Sequence, residues 1–125
     1  MTELRGCLKA KGLDYPYKAW VVGPDPVIHL AVFSRFPIPK NRSHNQVSYL
    51  LDRKRFQVSR GIGEVEVQAN SRYRFVLFNA HLKSKRPVGF ADQVAMRLEE
   101  ARALWRLVVK RLNANLDENL FVFGD

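Results

Sequence analysis

Three residues at the ends of apolar runs are of types that could serve as acid, base or metal ligand. Phe75-Val76-Leu77-Phe78 leads into Asn79-Ala80-His81, and Phe121-Val122-Phe123 leads into Gly124-Asp125. An imidazole exchanges protons near neutral pH and serves as a general acid or base. A carboxylate at the carboxyl end of a strand can take a divalent cation or orient an attacking water. Asn79 and His81 lie two residues apart, so they share a face if one strand runs through both. Each group also has a plainer reading. A lone His at a strand end is more often a packing hydrogen bond, and Gly-Asp is ordinary turn chemistry. An Asn and a His on one face raise the odds of a polar site.

Cations lie nearby in sequence. Arg60 precedes Gly61 at the opening of a strand and could hold a phosphate in a bidentate contact, although a surface Arg without such a role is commoner. Lys83, Lys85 and Arg86 closely follow His81 and could line a phosphate path or solvate a loop. Ser34-Arg35 reads equally as ligand contact or structural corner. Other chemistries are excluded. Gly61-Ile62-Gly63 lacks the following helix and the Lys-Ser/Thr pair of a phosphate loop. No Cys/His cluster suits zinc, and there is no G-x-S-x-G nucleophile elbow.

These groups need a scaffold, and the pattern predicts one. Residues 2–11 read as a short helix closed by Gly12, with Leu4 and Leu8 on one face. Short strands are expected over 19–22, 27–34 and 47–51, with a polar loop over 40–46. Ile62 to Gln68 alternates with period two, which predicts one wet and one buried face. A turn over 69–72 returns the chain as a strand from Tyr73, whose apolar run places it in the sheet's centre. A loop covers 83–90. A helix then runs from Ala91 to about Asn113. Val94, Leu98, Ala101, Trp105, Val108 and Leu112 form its apolar stripe, read as the core-facing side, and Trp105 reads as a packing residue. Asn119 to Phe123 is a last strand. The order of elements predicts a mixed-sheet α/β domain.

At 125 residues the chain is one domain or part of one. With 46% hydrophobic residues it has an ordinary globular composition. No apolar run approaches the ~20 residues that span a bilayer, and the N-terminus lacks a signal peptide's apolar region. Cys7 is the lone cysteine, so no internal disulfide is available. A reducing, cytoplasmic setting is expected, or a fragment without its targeting segment. Net charge is +9 and the pI about 10.1. That balance fits attraction to phosphate, in nucleic acid or a phosphorylated ligand, or acidic partners carried elsewhere.

In this order the pieces resemble the endonuclease/exonuclease/phosphatase superfamily, which has the deoxyribonuclease-I-like fold. The matching segments are Leu30 to Ile38, Ser59-Arg60-Gly61, Phe78 to Ser84, the helix with Gln93 and Arg97, and Val122-Phe123-Gly124-Asp125. The resemblance spans roughly residues 4–125. It implies a partial four-layer α/β sandwich and hydrolysis of a phosphodiester or phosphomonoester by an activated water, with Mg²⁺ or Mn²⁺ as cofactor. It implies that His81 stands beside the scissile phosphate as general acid or charge stabiliser, with Asn79 beside it. Asp125 would match the Asp of the family's Gly-Asp-x-Asn motif and act on the water, with metal contact as a further role. Arg60 would match an Arg that touches substrate phosphate. On this reading residues 1–125 form a single incomplete domain. The first strand, the metal-binding Glu and the C-terminal strands are missing, so the chain alone is expected to be inactive or nearly so. A non-catalytic basic module that binds nucleic acid or phosphate is the rival expectation.

Overall fold

The computed structural model describes residues 2–84, 86, 89 and 91–125. Lys85, Pro87, Val88 and Phe90 fall in the expected 83–90 loop and lie outside the described residues. The chain runs α1 (Thr2–Ala10), β1 (Tyr17–Val21), β2 (Leu30–Ser34), β3 (Lys40–Asn41), β4 (Ser48–Leu51), β5 (Lys54–Gln57), β6 (Ile62–Gln68), β7 (Arg74–Ala80), α2 (Gln93–Ala114) and β8 (Leu120–Gly124). The expected mixed α/β class is the observed one.

A four-stranded sheet in the order β3-β6-β7-β8 organises everything else. β6 and β7 are an antiparallel hairpin, with Val65 opposite Leu77 and Glu64 opposite Phe78. β7 and β8 are parallel, joined through α2, with Asn79 level with Phe123. Alternation along β6 and β7 then sorts side chains between two cores. Ile62, Val76 and Phe78 face α2 and the β4–β5 hairpin, packing with Tyr49, Val58, Met96 and Ala103. Val65, Val67 and Leu77 face the β1–β2 hairpin, packing with Ala19, Val32 and Phe75.

Four expectations need correction. The strand beginning at Val27 starts instead at Leu30, because the Asp25 carboxylate accepts the N–H groups of Val27 and Ile28 and folds that stretch into a turn. The loop over 40–46 contains a short edge strand, β3, paired to Val65 and Glu66. β5 went unread. It forms a hairpin with β4 whose two turn residues, Asp52 and Arg53, both take positive φ, at 50° and 64°. That is the geometry of a type I′ turn, here without its usual Asn-Gly signature. The fourth correction is one of phase. β6 has no wet face, since Ile62 through Val67 are all buried. α2 also packs by a different stripe, with Gln93, Met96, Glu100 and Ala103 inside, while Val94, Leu98 and Trp105 are 58%, 51% and 64% exposed. Trp105 is therefore not a core residue. Of the expected stripe, Val108 does pack against the core beside Leu104 and Leu107.

The phase shift has one cause on both elements. Buried acidic residues on β6 and α2 have tertiary partners, so apolarity alone does not mark the inner face. Glu64 and Glu66 sit under the C-terminal turns of α2, where Arg111 reaches both, at 3.8 and 3.7 Å. His44 Nε2 lies 2.7 Å from Glu64 Oε2, and Arg74 Nη1 lies 3.0 Å from Glu66 Oε2.

Candidate active site

The carboxyl end of β7 gathers most of the candidate residues, and the backbone of Leu82 is the junction. Its N–H donates to the Asp125 carbonyl at 2.9 Å, while the Asp125 N–H donates to the Ala80 carbonyl at 3.1 Å. These two bonds bracket His81 and extend the β7–β8 ladder one rung past the strands, so His81 and Asp125 are neighbours across parallel strands. The Leu82 carbonyl accepts Arg60 Nη1 at 3.1 Å. His81 is half-buried and Asp125 is exposed, so both can meet solvent from an anchored backbone.

Gly124 makes this approach feasible. A Cβ there would fall on the carbonyl oxygen of Ala80. Gly124→Ala is expected to cost about 1–3 kcal/mol, the usual penalty for forcing an atom into a packed site. It should also accelerate amide exchange at Leu82 and Asp125 more than at Val76. Equal exchange across β7 would show that the rung does not depend on the glycine.

The other sequence candidates have defined positions. Asn79 lies inside β7, and its Nδ2 donates to the Ala31 carbonyl of β2 at 3.3 Å, so its amide ties the sheet to the β1–β2 layer. Arg60 is only 8% exposed. Besides Leu82, its Nε lies 3.6 Å from Asp25 Oδ2. The guanidinium is thus held between a carbonyl and a carboxylate. Gly23 lets the Asp25 turn press against this segment, since a Cβ on it would overlap the Arg60 and Gly61 backbone. The Asp25 carboxyl is held below its ordinary range, first by the Ile28 and Val27 N–H groups and then by the charges of Arg60 and Lys83.

One residue of the site went unread. Glu100 on α2 has no exposed surface, and its two carboxylate oxygens accept backbone N–H groups from separate segments. Oε1 takes Ser59 N at 3.2 Å and Oε2 takes Lys83 N at 2.7 Å. Ser59 adjoins Arg60, and Lys83 lies two residues past His81. Glu100 therefore clasps the two segments that carry the site, and Lys83 Nζ adds a bond to Ser59 Oγ at 3.2 Å. Burial pushes the Glu100 carboxyl upward, while the two N–H groups, then Lys83 and Arg60, pull it back. In sequence, Glu100 stands beside Glu99 in a charged helix and nothing separates the two. Their phase against Met96 and Ala103 is the distinguishing signal, visible once the inner stripe is known.

The described residues do not assemble a site for the divalent cation. No group of three His, Cys, Asp or Glu side chains converges among them. The carboxylates of Asp25 and Glu100 are already occupied by backbone N–H groups. No helix is long and apolar enough to cross a membrane among the described residues.

No family model matches the chain, and no curated protein matches it. Among solved structures, it is similar to the crystal structure of sphingomyelinase C from Streptomyces griseocarneus, with a TM-score of 0.64 over 96% of this chain at 19% identity. The fold is deoxyribonuclease-I-like. The chain spans 46% of the length of that structure. The two therefore share a backbone architecture over nearly all of this chain.

Proposed function

We propose that the His81–Asp125 end of the sheet is part of a phosphoester hydrolase site. The observation that supports it most is the pair of backbone bonds around Leu82, which sets His81 and Asp125 level with each other at the ends of two parallel strands. His81 supplies a proton or positive charge to the phosphoryl group, and Asp125 orients the attacking water. Arg60 keeps the Leu82 carbonyl in place and adds positive potential beneath the site. Asn79 fixes the end of β7 against the second layer. Substrates of this reading are phosphodiesters or phosphomonoesters, with nucleic acid favoured by the charge of +9.

The test pairs binding with turnover. In the wild-type chain, inorganic phosphate is expected to shift the His81 ring signals and the Leu82 and Asp125 amides. His81→Ala should abolish the shifts at the other two. With Mg²⁺ and a chromogenic phosphodiester, turnover by this chain is expected to be slow, and His81→Ala should reduce it by about 100-fold or more. Phosphate shifts located elsewhere, together with turnover indifferent to His81→Ala, sink the proposal. Salt-dependent DNA binding without cleavage, unchanged in His81→Ala, would instead identify a basic binding module.

A further inference from the structure

A crevice of about 220 Å³ opens between the chain that follows β3 and the last turns of α2. Arg42 and His44 form one wall. Their N–H groups donate to the Glu64 and Ile62 carbonyls, both at 2.8 Å, which lays this segment along β6. Leu107, Lys110 and Arg111 of α2 form the other wall. None of these residues belongs to the strand-end site around Leu82. The carboxylates here are already matched. Glu64 has His44 at 2.7 Å and Arg111 at 3.8 Å, and Glu118 has Arg111 at 3.2 Å. Glu66 Oε2 has four cations within 4.0 Å, with Arg74 nearest at 3.0 Å. Arg42 is one of those four. At 3.6 Å it is too far for a hydrogen bond, and its Nη1 is buried without an acceptor. Lys110 is exposed and has no ion pair among the described residues. Five side chains, Lys40, Arg42, Arg74, Lys110 and Arg111, therefore surround three carboxylates, a surplus of two positive charges with His44 neutral. Water could accept from Arg42, but it carries no charge to offset that surplus.

We propose that this crevice binds a small organic dianion, with its charged groups at Arg42 and Lys110 and its carbon chain against Leu107. The site is separate from the phosphoester reading and does not depend on it. A guanidinium presents paired N–H groups to a carboxylate or a phosphate, and an ammonium adds a compact charge. The two cations stand on opposite walls, so a ligand with two charged groups engages both. A single charge is not enough, because the carbonyls at the C-terminal end of α2 oppose an anion. Glu64, the carboxylate in the lining, is held by His44 and Arg111 and is offset by them. The volume lies below the roughly 300–1,000 Å³ of drug-sized ligand sites. It suits a diacid, or a phosphate carried on two or three carbons, rather than a nucleotide. Such a ligand would tie the edge of the sheet to the end of the helix.

The experiment is an NMR titration of the 125-residue chain with succinate, glycerol 3-phosphate and acetate at matched ionic strength. At least one dianion is expected to shift the Arg42 and Arg111 Nε–H signals and the amides of Arg42 and His44. The tighter of the two shows whether the second charged group is a carboxylate or a phosphate. Acetate, with one charge, should bind about tenfold more weakly or worse. Lys110→Ala, made on an exposed side chain, should weaken the dianion about tenfold, as loss of one charge-assisted hydrogen bond requires. Arg42→Gln should do the same. If Arg42→Gln melts early, Lys110→Ala and the acetate comparison still decide. Dianions that bind no better than acetate, or shifts indifferent to both substitutions, overturn the proposal and leave the crevice to water. Dianion shifts confined to His81, Leu82 and Asp125 overturn it as well. The two proposals fail separately. His81→Ala should leave the crevice titration unchanged, and Lys110→Ala should leave His81-dependent turnover unchanged.

Discussion

Arg111→Met is expected to lower the unfolding free energy by about 3 kcal/mol, the low end of the cost of stranding buried charges. Glu64 and Glu66 have side chains only 8% and 5% exposed, and Glu118 is buried to the same degree. Arg111 touches all three carboxylates, with its Nε 3.2 Å from Glu118. Its own side chain is 18% exposed, whereas Lys40, Arg42 and Arg74, the other cations on Glu66, are 55%, 35% and 44% exposed and lean on water. Met keeps much of the apolar stem, so lost packing contributes little and the charge term dominates. The low end applies because His44 remains to hold Glu64, and Lys40, Arg42 and Arg74 remain to hold Glu66. Urea denaturation measures the effect. Glu66→Gln in the Arg111→Met background should recover part of the loss, since the stranded carboxylate is then gone. Arg111→Lys should fall between, because one ammonium cannot span three carboxylates. A change within about 0.5 kcal/mol for Arg111→Met would place the network in the class of surface ion pairs.

The same network explains which parts of the fold were legible in the sequence. The β6–β7 hairpin could be read because its period-two pattern and its turn are local features. α1 could be read for the same reason, through Gly12, whose φ of 75° ends the helix. The packing face of α2 could not. Hydrophobic periodicity finds the inner side of a helix only when the inner side is apolar. Here the inner side carries Glu100 and Arg111, each made tolerable by partners far away in sequence. The exposed side carries Val94, Leu98 and Trp105. Both stripes have helical spacing, and only tertiary partners choose between them. The β4–β5 hairpin was half-read because Asp52-Arg53 adopts positive φ at both residues without glycine.

The candidate site divides along the same line. His81 and Asp125 could be found because each closes an apolar run, and strand ends are where a rigid sheet meets solvent. Their adjacency depends on the parallel register of β7 with β8, a long-range pairing set through α2 that no local pattern specifies. The setting of Arg60 was equally hidden. Its partners are the Leu82 carbonyl and Asp25, which lies 35 residues earlier by numbering (60 − 25). A free surface arginine and a buried bracket look alike in sequence.

Glu100→Ala should destabilise the chain by about 3 kcal/mol, because it strands two buried N–H groups at roughly 1–3 kcal/mol each. Glu100→Gln should cost about half as much, since its single carbonyl oxygen can serve one N–H while its amide faces the other. The pH dependence separates a charged clasp from mere packing. Burial raises the carboxyl above its unfolded value, so the folded state holds this proton more tightly than the unfolded chain does. The contribution from that shift is fully present below the unfolded value and is lost as pH rises through the folded one. The stability advantage of wild type over Glu100→Gln should therefore shrink from about pH 4 upward. Asp25 has the opposite sign. Its lowered carboxyl stabilises above its unfolded value and fades as pH falls through the folded one, so Asp25→Asn should approach wild type in acid. Amide exchange supplies the structural readout. Glu100→Gln should speed exchange at Ser59 or Lys83 ahead of global unfolding and carry Leu82 with it, loosening the rung that joins His81 to Asp125. A wild-type difference from Glu100→Gln that is flat with pH, with exchange at Ser59 and Lys83 unchanged, would mean that Glu100 only fills space and that the site is held by its strands alone.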